Sequence, residues 1–320
     1  MITKFKKQIL DGYQLTKEEA LALYQLPLDQ LCAAANEIRI HFCANEFDTC
    51  TIINGKSGRC SENCKFCAQS SFYKTCTESY PLLNTEEFLA QAQYNEVRGV
   101  RRYSIVTSGR ALSDVEVNQA CISFQEIRKH STIALCASFG LLTKSQYMKL
   151  HAAGVARIHN NLETSRRNFP NICTTHSYDD KVASIRAATQ AGLEVCSGGL
   201  MGCGETIEDR IDMAFDLRDL GIRSIPLNLL SPIPGTPFEH LPVLTNEEMC
   251  RIVAIFRFIL PTASIRLAGG RSLLPDSGTA CFQSGANAAI TGDLLTTTGA
   301  TIEEDLNRIR SLGYRIATNA

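Results

Sequence analysis

The chain has 320 residues, of which 44% are apolar, and its 32 basic residues nearly balance 33 acidic ones. This composition permits a large buried core, and the absence of charge runs gives no reason to expect nucleic acid or an anionic membrane as a partner. No signal peptide is recognisable, and no window reaches the roughly 18 apolar residues of a membrane span. We therefore expect a cytoplasmic protein, whose 14 cysteines serve metal binding or chemistry more often than disulfides.

In chain order, two helices are predicted first, at roughly 16–26 and 28–43, and we expect them to cap the amino-terminal end of the following domain. Short β-rich runs then alternate with helices eight times. The predicted strands are 49–55, 101–107, 132–138, 155–160, 193–198, 224–230, 264–268 and 288–292. Capping-box pairs mark helix starts at Asn84/Glu87, Ser113/Glu116 and Thr245/Glu248, and glycines mark helix ends at Gly154, Gly192 and Gly221.

Alternating strands and helices imply a parallel sheet with right-handed crossovers. Eight units match the (β/α)8 barrel, in which the active-site loops follow the carboxyl ends of the strands. We predict an α/β fold of this TIM type as a single domain over 1–320, with a helical cap over 1–45 and the barrel over 46–320. A doubly wound open sheet remains the alternative on the pattern alone.

A cysteine loop follows the first strand, in the segment SGRCSENCKFCAQSSFY. Cys60, Cys64 and Cys67 have the spacing CxxxCxxC, and three thiolates in a tight loop suit a soft metal or an iron–sulfur cluster. A structural zinc site or an electron-transfer cluster normally has a fourth Cys or His ligand. Cys76 is available nine residues on, but the spacing of the loop stops at three, which leaves one iron free to bind substrate. The alternatives are a zinc knuckle and a chance grouping of cysteines.

Three unusual residues occupy predicted strands: Cys136 in the third, Cys196 in the fifth and Arg266 in the seventh. Alternation would place such side chains inside the barrel, where Val, Ile and Leu are usual. Buried cysteines are common packing residues, but a buried guanidinium needs an anion, a cluster or a ligand. The three residues are therefore candidates for binding a second cofactor.

The CxxxCxxC spacing with an aromatic residue, Phe66, before the last cysteine resembles the signature of the radical S-adenosylmethionine superfamily. The resemblance implies a 4Fe–4S cluster whose open iron chelates the amino and carboxylate groups of S-adenosylmethionine. Electron transfer would then break a carbon–sulfur bond and release a 5′-deoxyadenosyl radical.

Further motifs resemble the biotin synthase family over nearly the whole chain: LCASFGLL, HNNLETS, VCSGGLMGCGET, IPLNLLSPIPGTP and IRLAGGR. The resemblance implies a (β/α)8 barrel that forms a homodimer and takes electrons from a flavodoxin or ferredoxin. The implied reaction inserts sulfur between two unactivated carbons of dethiobiotin to form biotin. Each of two hydrogen abstractions would consume one S-adenosylmethionine, and a sacrificial auxiliary iron–sulfur cluster would supply the sulfur.

The resemblance also implies roles for individual residues. Cys60, Cys64 and Cys67 would bind the 4Fe–4S cluster, and Cys136, Cys196 and the catalytic residue Arg266 the auxiliary cluster. Asn161 and Glu163 would hold the ribose of the nucleoside, and Asn161 and Asn228 would contact dethiobiotin. Lys181 takes the place of a cation that faces the S-adenosylmethionine carboxylate, although it lacks the fork of an arginine.

The chain departs from the family pattern in the second strand, where Ser104 stands in place of a third auxiliary cysteine. A serine hydroxyl resists deprotonation and is a poorer iron ligand. Cys173, on the loop after the fourth strand, is expected on the catalytic side of the barrel. We therefore predict that Cys136, Cys173 and Cys196 hold a rearranged auxiliary cluster, 2Fe–2S or larger.

Two other functions compete with this interpretation. Another radical enzyme, such as a maturase of the iron-only hydrogenase, shares the strand pattern YSIVTSGR but not the full motif set, and a test with dethiobiotin separates the two. A non-catalytic iron–sulfur or zinc protein is the second, but eight βα units are excessive for an electron carrier. Iron quantitation with an assay of S-adenosylmethionine cleavage decides that case.

Overall fold

The computed structural model describes residues 1–292 and 301–316, and its centre is a closed parallel barrel. The strands are Glu46–Lys56 (β1), Arg102–Thr107 (β2), Ala134–Ser138 (β3), Arg157–His159 (β4), Glu194–Cys196 (β5), Gly199–Met201 (β6), Ser224–Leu229 (β7), Ser264–Leu267 (β8), Ala288–Ile290 (β9) and Arg315–Ile316 (β10). They pair in the order β1-β2-β3-β4-β5-β7-β8-β9, and β9 pairs back with β1. The predicted (β/α)8 barrel is confirmed, and the open sheet is wrong.

The fifth strand differs from its prediction, because it is split into β5 and β6, which both pair with β7. Ser197 and Gly198 separate the two pieces. A Cβ atom on Gly198 would lie 1.9 Å from the carbonyl oxygen of Pro226, so only glycine allows the chain to approach β7 this closely. The short strand β10, which the pattern did not predict, pairs with the beginning of β1.

The helices are Ile2–Leu10 (α1), Lys17–Tyr24 (α2), Leu28–Cys43 (α3), Thr85–Glu96 (α4), Asp114–His130 (α5), Lys144–Ala152 (α6), Phe169–Ile172 (α7), Tyr178–Gln190 (α8), Ile207–Asp219 (α9), Asn246–Ile259 (α10), Thr279–Gln283 (α11) and Ile302–Ser311 (α12). The capping boxes at Asn84 and Ser113 are confirmed. Thr245 caps α10 by accepting from the Glu248 backbone, but the Glu248 carboxylate contacts Tyr24 and Arg210 instead of completing the box. The three predicted glycine stops all have positive φ. No helix in the described part of the chain is long and apolar enough to cross a membrane.

The amino-terminal cap contains three helices rather than the two predicted. Helix α1 was missed because it begins at Ile2 without any side-chain cap that a sequence pattern could reveal. Helix α3 packs against α1 and α10, and α2 packs against α9 and α10. At the end of α3, the Cys43 sulfur lies 3.8 Å from the Ala263 carbonyl, which directly precedes β8. The cap thus covers the outer helices and reaches the amino-terminal end of that strand. Residues 293–300 and 317–320 of the predicted domain lie outside the described residues.

Candidate active site

A cavity of about 300 Å³ runs from the barrel interior to the loops at the carboxyl ends of the strands. Its wall includes residues from all eight barrel positions and the end of the cysteine loop. Among the residues predicted for the site, it is lined by Cys67, Ser104, Cys136, Asn161, Glu163, Cys196, Asn228 and Arg266. The structure therefore brings most of the predicted set to one cavity.

The cysteine loop is held by its own backbone. Cys60 donates its N–H to the Gln69 carbonyl at 2.9 Å, and its carbonyl accepts from Ser71 at 2.8 Å. The N–H of Cys67 bonds the Cys64 carbonyl at 3.0 Å, which closes a tight turn between these two cysteines. All three thiols are free. Burial raises the pKa of Cys67 to about 11, so this thiol becomes a thiolate readily only beside a positive charge.

A short segment after α7 docks onto this loop. Asn63 accepts backbone N–H groups from Thr174 at 2.9 Å and Thr175 at 3.3 Å. Glu62 accepts from the Thr175 hydroxyl at 2.8 Å, and its Oε2 lies 2.5 Å from Nδ1 of His176. The loop is therefore fixed from outside by residues 174–176, which the sequence interpretation did not single out.

Cys173 belongs to this docked segment and does not lie with Cys136 and Cys196. Its sulfur lies close to that of Cys64, and Cys173 is absent from the described lining of the cavity. The reason is that α7 follows β4 and carries the chain outward to the cysteine loop, where the Ile172 carbonyl accepts from the backbone of Lys65 at 3.0 Å. Hydrogen bonds from Cys64 and, more weakly, His176 lower the pKa of Cys173 to about 3.

One part of the cavity, called the floor below, is lined by Cys50, Cys136, Cys196, Arg102, Arg157 and Arg266. This floor is electropositive. Nη2 of the buried Arg266 lies 2.5 Å from Oδ2 of Asp48, and Arg266 also donates to the Ala289 carbonyl at 3.0 Å. The same carboxylate lies 3.3 Å from Arg102 and 3.5 Å from Arg157. The anion required by a buried guanidinium is thus a protein carboxylate, and one carboxylate serves several cations. Positive charge remains in excess beside the thiols of the floor.

Cys50 is a cavity residue that the sequence interpretation missed. It lies on β1, in register with Ile290 of β9 and Arg102 of β2. Burial raises its pKa to about 12, with a smaller contribution from the neighbouring Cys136. Alternation along β1 places Cys50 and Ile52 on the inward face, so the same period-two argument that selected Cys136 would have selected Cys50.

The predicted nucleoside and substrate residues are fixed by backbone groups. Asn161 accepts from the Gly198 N–H at 3.1 Å and donates to Glu163 at 3.3 Å. Asn228 accepts from Gly269 at 2.9 Å and donates to the Gly199 carbonyl at 3.1 Å. Burial raises the pKa of Glu163, which has a left-handed φ of 70°.

Lys181 lies close to the cavity but does not contribute to its described lining. Its Nζ donates to the side chain of Asn160 at 3.3 Å, and Lys181 is not among the described residues that line the cavity. Its charge still acts on the site, since it opposes the rise in the pKa of Glu163.

Two family models match the chain: the Radical SAM superfamily over residues 56–217, and the Biotin and Thiamin Synthesis associated domain over residues 226–315. Biotin synthase of Akkermansia muciniphila is 58% identical over 309 residues, which cover 97% of this chain and 96% of that relative. Biotin synthase of Brachyspira hyodysenteriae is 55% identical and covers 98% and 95% of the two chains.

Solved structures share the fold at low sequence identity. Methylornithine synthase superposes with a TM-score of 0.85 at 21% identity, over 98% of this chain and 97% of that one. The FeFe-hydrogenase maturase from Carboxydothermus hydrogenoformans gives 0.83 at 14% identity, over 100% of this chain and 80% of that one. The family models and the near-full-length identity to curated relatives show that the chain belongs to the biotin synthase family of radical S-adenosylmethionine enzymes.

Proposed function

We propose that this chain converts dethiobiotin to biotin by inserting a sulfur atom between two unactivated carbons. The observation that carries the proposal is that one cavity joins the cysteine loop to a floor lined by buried thiols and by Arg266. Identity above 50% to biotin synthases over almost the full length supports the same reaction. The wall of the cavity presents amides and a carboxylate at fixed positions, which suits a polar nucleoside and a ureido ring.

The cysteine loop fits a 4Fe–4S cluster by its donor set. Cys60, Cys64 and Cys67 are free thiols in one turn, Cys67 opens onto the cavity, and Cys76 is exposed. Three thiolates without a fourth protein ligand leave one coordination position for a small molecule. When bound, the cluster and S-adenosylmethionine supply a carbon radical able to take hydrogen from an unactivated carbon. The chain itself holds the loop rigid through Glu62 and Asn63.

The floor fits an anionic auxiliary cluster by its charge. A single carboxylate, Asp48, is surrounded by Arg101, Arg102, Arg157 and Arg266. Among the described residues, only Arg157 of these four forms a further ion pair, with Glu194. Thiolates and sulfides beside these cations would balance the excess charge. The ligands in this proposal are Cys136, Cys196 and Arg266, and Cys50 supplies the thiolate that Ser104 cannot. A 2Fe–2S cluster or a larger one is consistent with three thiols.

The roles of the wall residues follow from their atoms. Asn161 and Glu163 would bind the ribose hydroxyls, and Asn161 would also face dethiobiotin. The Gly198 N–H orients Asn161 by donating to its side-chain oxygen. Asn228 would contact the dethiobiotin ring, since its amide is held between Gly199 and Gly269. Lys181 would supply the positive charge that faces the carboxylate of S-adenosylmethionine.

The organisation of the protein is part of the proposal. We place residues 1–320 in one domain, because strands of the two matched regions pair with each other. Strand β9, in the region of the second family model, pairs with β1, and β7 pairs with β5 and β6, which lie in the region of the first. The enzyme would act in the cytoplasm as a homodimer that takes electrons from a flavodoxin or ferredoxin. These partners rest on the family alone.

The test is biotin formation by the anaerobically reconstituted chain, given dethiobiotin, S-adenosylmethionine and a low-potential reductant. We expect biotin at up to about one per chain, which a sacrificed internal sulfur source limits. Cys60→Ala should abolish S-adenosylmethionine cleavage, Cys136→Ala should abolish biotin formation while leaving uncoupled cleavage, and Cys76→Ala should change neither. Cleavage without biotin in the parent enzyme would support the cysteine loop as the cluster site but overturn either dethiobiotin as substrate or the auxiliary cluster as sulfur source.

A further inference from the structure

Cys64, Cys173 and His176 form a compact group of metal-ligating side chains beside the cysteine loop. One ligand atom from each lies within 4.8 Å of the other two, and this is the one such group of three or more found among the described residues. Cys173 and His176 are buried, whereas Cys64 is half-buried, so the group can be reached from one side. Cys60 and Cys67 are not members.

The spacing matches a four-coordinate ion better than a cluster. With metal–sulfur bonds of about 2.3 Å and metal–nitrogen bonds of about 2.0 Å, neighbouring ligands of a tetrahedral ion lie roughly 3.5–3.8 Å apart. The Cys173 sulfur lies 3.3 Å from Nδ1 of His176, and the Cys64 sulfur is within the same 4.8 Å limit. Small shifts of three side chains would therefore enclose an ion. Two thiols and an imidazole are the donors that Zn²⁺ and Fe²⁺ prefer.

The surroundings already orient these donors. Glu62 Oε2 lies 2.5 Å from Nδ1 of His176, the same ring nitrogen that faces the Cys173 sulfur. An ion bound at Nδ1 would replace the proton of this contact and leave the Glu62 carboxylate beside the ion, where its charge would favour binding. The Cys173 sulfur lies 3.3 Å from both the Asn63 amide oxygen and the Thr175 hydroxyl. Arg110 lies 3.5 Å from Glu62 and bonds the Thr175 carbonyl, so the group is braced from a second side.

We propose that Cys64, Cys173 and His176 form a binding site for a single Zn²⁺ or Fe²⁺ ion, which is filled when the cysteine loop holds no cluster. The fourth position of the ion is open to water. Since Cys64 is also a ligand in the proposed function, the single ion and the 4Fe–4S cluster exclude each other. A bound ion would keep the loop in its docked position and would delay cluster assembly.

The probe is Co²⁺, whose visible absorption reports thiolate ligation and tetrahedral geometry. The full-length chain, freed of iron by anaerobic chelation, is titrated with Co²⁺ alone. We expect one high-affinity ion per chain, with sulfur-to-cobalt bands and intense tetrahedral bands, displaced by Zn²⁺. Cys173→Ala and His176→Gln should each weaken Co²⁺ binding at least tenfold, and the thiolate bands should diminish in Cys173→Ala only.

The matched control is Cys60→Ala, which removes a loop thiol outside the group and should leave Co²⁺ affinity within twofold. Thermal unfolding of each metal-free variant shows whether it folds as the parent does, and Cys173→Ser retains a polar side chain if alanine disturbs packing. Equal affinity in Cys173→Ala, or a larger loss in Cys60→Ala, would overturn the proposal and assign the ion to the three-cysteine loop. The assay contains neither dethiobiotin nor S-adenosylmethionine, so its outcome is independent of biotin formation.

Discussion

The Oδ2 atom of Asp48 lies 2.5 Å from Nη2 of Arg266 at the floor of the cavity. Burial pushes the pKa of Asp48 upward, but the charges of Arg266, Arg102 and Arg157 outweigh it and hold the pKa below its usual value. These residues come from β1, β8, β2 and β4, so one carboxylate joins strands from different parts of the barrel. Asp48 therefore organises the cations that face the thiols.

Asp48→Asn should lower the free energy of unfolding of the metal-free chain by about 3–5 kcal/mol, because it leaves buried guanidinium groups without their anion. Urea unfolding at neutral pH measures the change. Glu194→Gln is the control: its carboxylate lies 2.7 Å from Arg157, but its side chain is 63% exposed, so we expect a loss below about 1 kcal/mol. Equal losses in the two variants would show that Asp48 has no special role.

Cys50→Ala should remove the auxiliary cluster while leaving the 4Fe–4S cluster in place. Cys50 lines the floor with Cys136, whereas Cys173 lies at Cys64, so Cys173→Ala should retain the auxiliary iron. Iron and sulfide quantitation with Mössbauer spectroscopy of the reconstituted variants measures both clusters. Cys121→Ala, a half-buried thiol on the outer helix α5, controls for the general effect of removing a cysteine. Retained auxiliary iron in Cys50→Ala would exclude Cys50 as a ligand.

The sequence was sufficient for the barrel and most of the cavity, because alternation and strand order are local patterns. Cys136, Cys196 and Arg266 followed from the inward face of their strands, and Arg266 correctly signalled a buried anion. Asp48 could not be identified as that anion, since the pairing of β1 with β9 and the approach of β8 are long-range relationships.

Cys173 shows the limit of the same reasoning. A position on the loop after β4 indicated the catalytic side of the barrel. Nothing in the spacing indicated whether the loop would reach Cys64 or the pair of Cys136 and Cys196. The path of the chain through α7, and the bonds from Asn63 to Thr174 and Thr175, decide it. Side-chain contacts across 110 positions leave no periodic signal in one sequence.

Asp209 gives a prediction for acid stability. Burial raises its pKa, but hydrogen bonds from Ser165 and Thr206 and the nearby Arg167 hold it below the usual value. A lowered carboxyl pKa stabilises the fold at pH above the unfolded value near 3.8, and this contribution is lost as pH falls through the folded pKa. Asp209→Asn should therefore cost roughly 1–2 kcal/mol at pH 7, and the difference from the parent should shrink below about pH 4.

Urea unfolding of parent and variant at pH 7 and near pH 3.5 measures that difference, and the other carboxylates cancel because both chains carry them. Asp180→Asn is the matched control, since Asp180 holds the same capping-box position in α8 but its side chain is 44% exposed. We expect less than about 1 kcal/mol there. A difference for Asp209→Asn that stays constant with pH would contradict a charge-based role.

A comparison of Gly198→Ala with Gly204→Ala separates two costs of adding a side chain at a glycine, which are lack of space and backbone strain. Gly198 does not have positive φ, but an added Cβ would lie 1.9 Å from the Pro226 carbonyl oxygen, and backbone cannot swing aside as a side chain can. Gly204 has a φ of +84° with nothing within 4 Å of an added Cβ. Alanine at Gly204 should cost about 1 kcal/mol, whereas Gly198→Ala should cost about 3 kcal/mol or more, because β5 and β7 must separate.

The change at Gly198 should also reach the binding site. The Gly198 N–H orients Asn161 at 3.1 Å, and its carbonyl accepts from the Glu163 backbone at 3.1 Å. S-adenosylmethionine affinity, measured by equilibrium dialysis with the reconstituted enzyme, should therefore fall at least tenfold in Gly198→Ala and little in Gly204→Ala. If Gly204→Ala were the more damaging of the two, left-handed strain rather than strand contact would be the dominant constraint. In that case the split between β5 and β6 would not depend on the absence of a side chain.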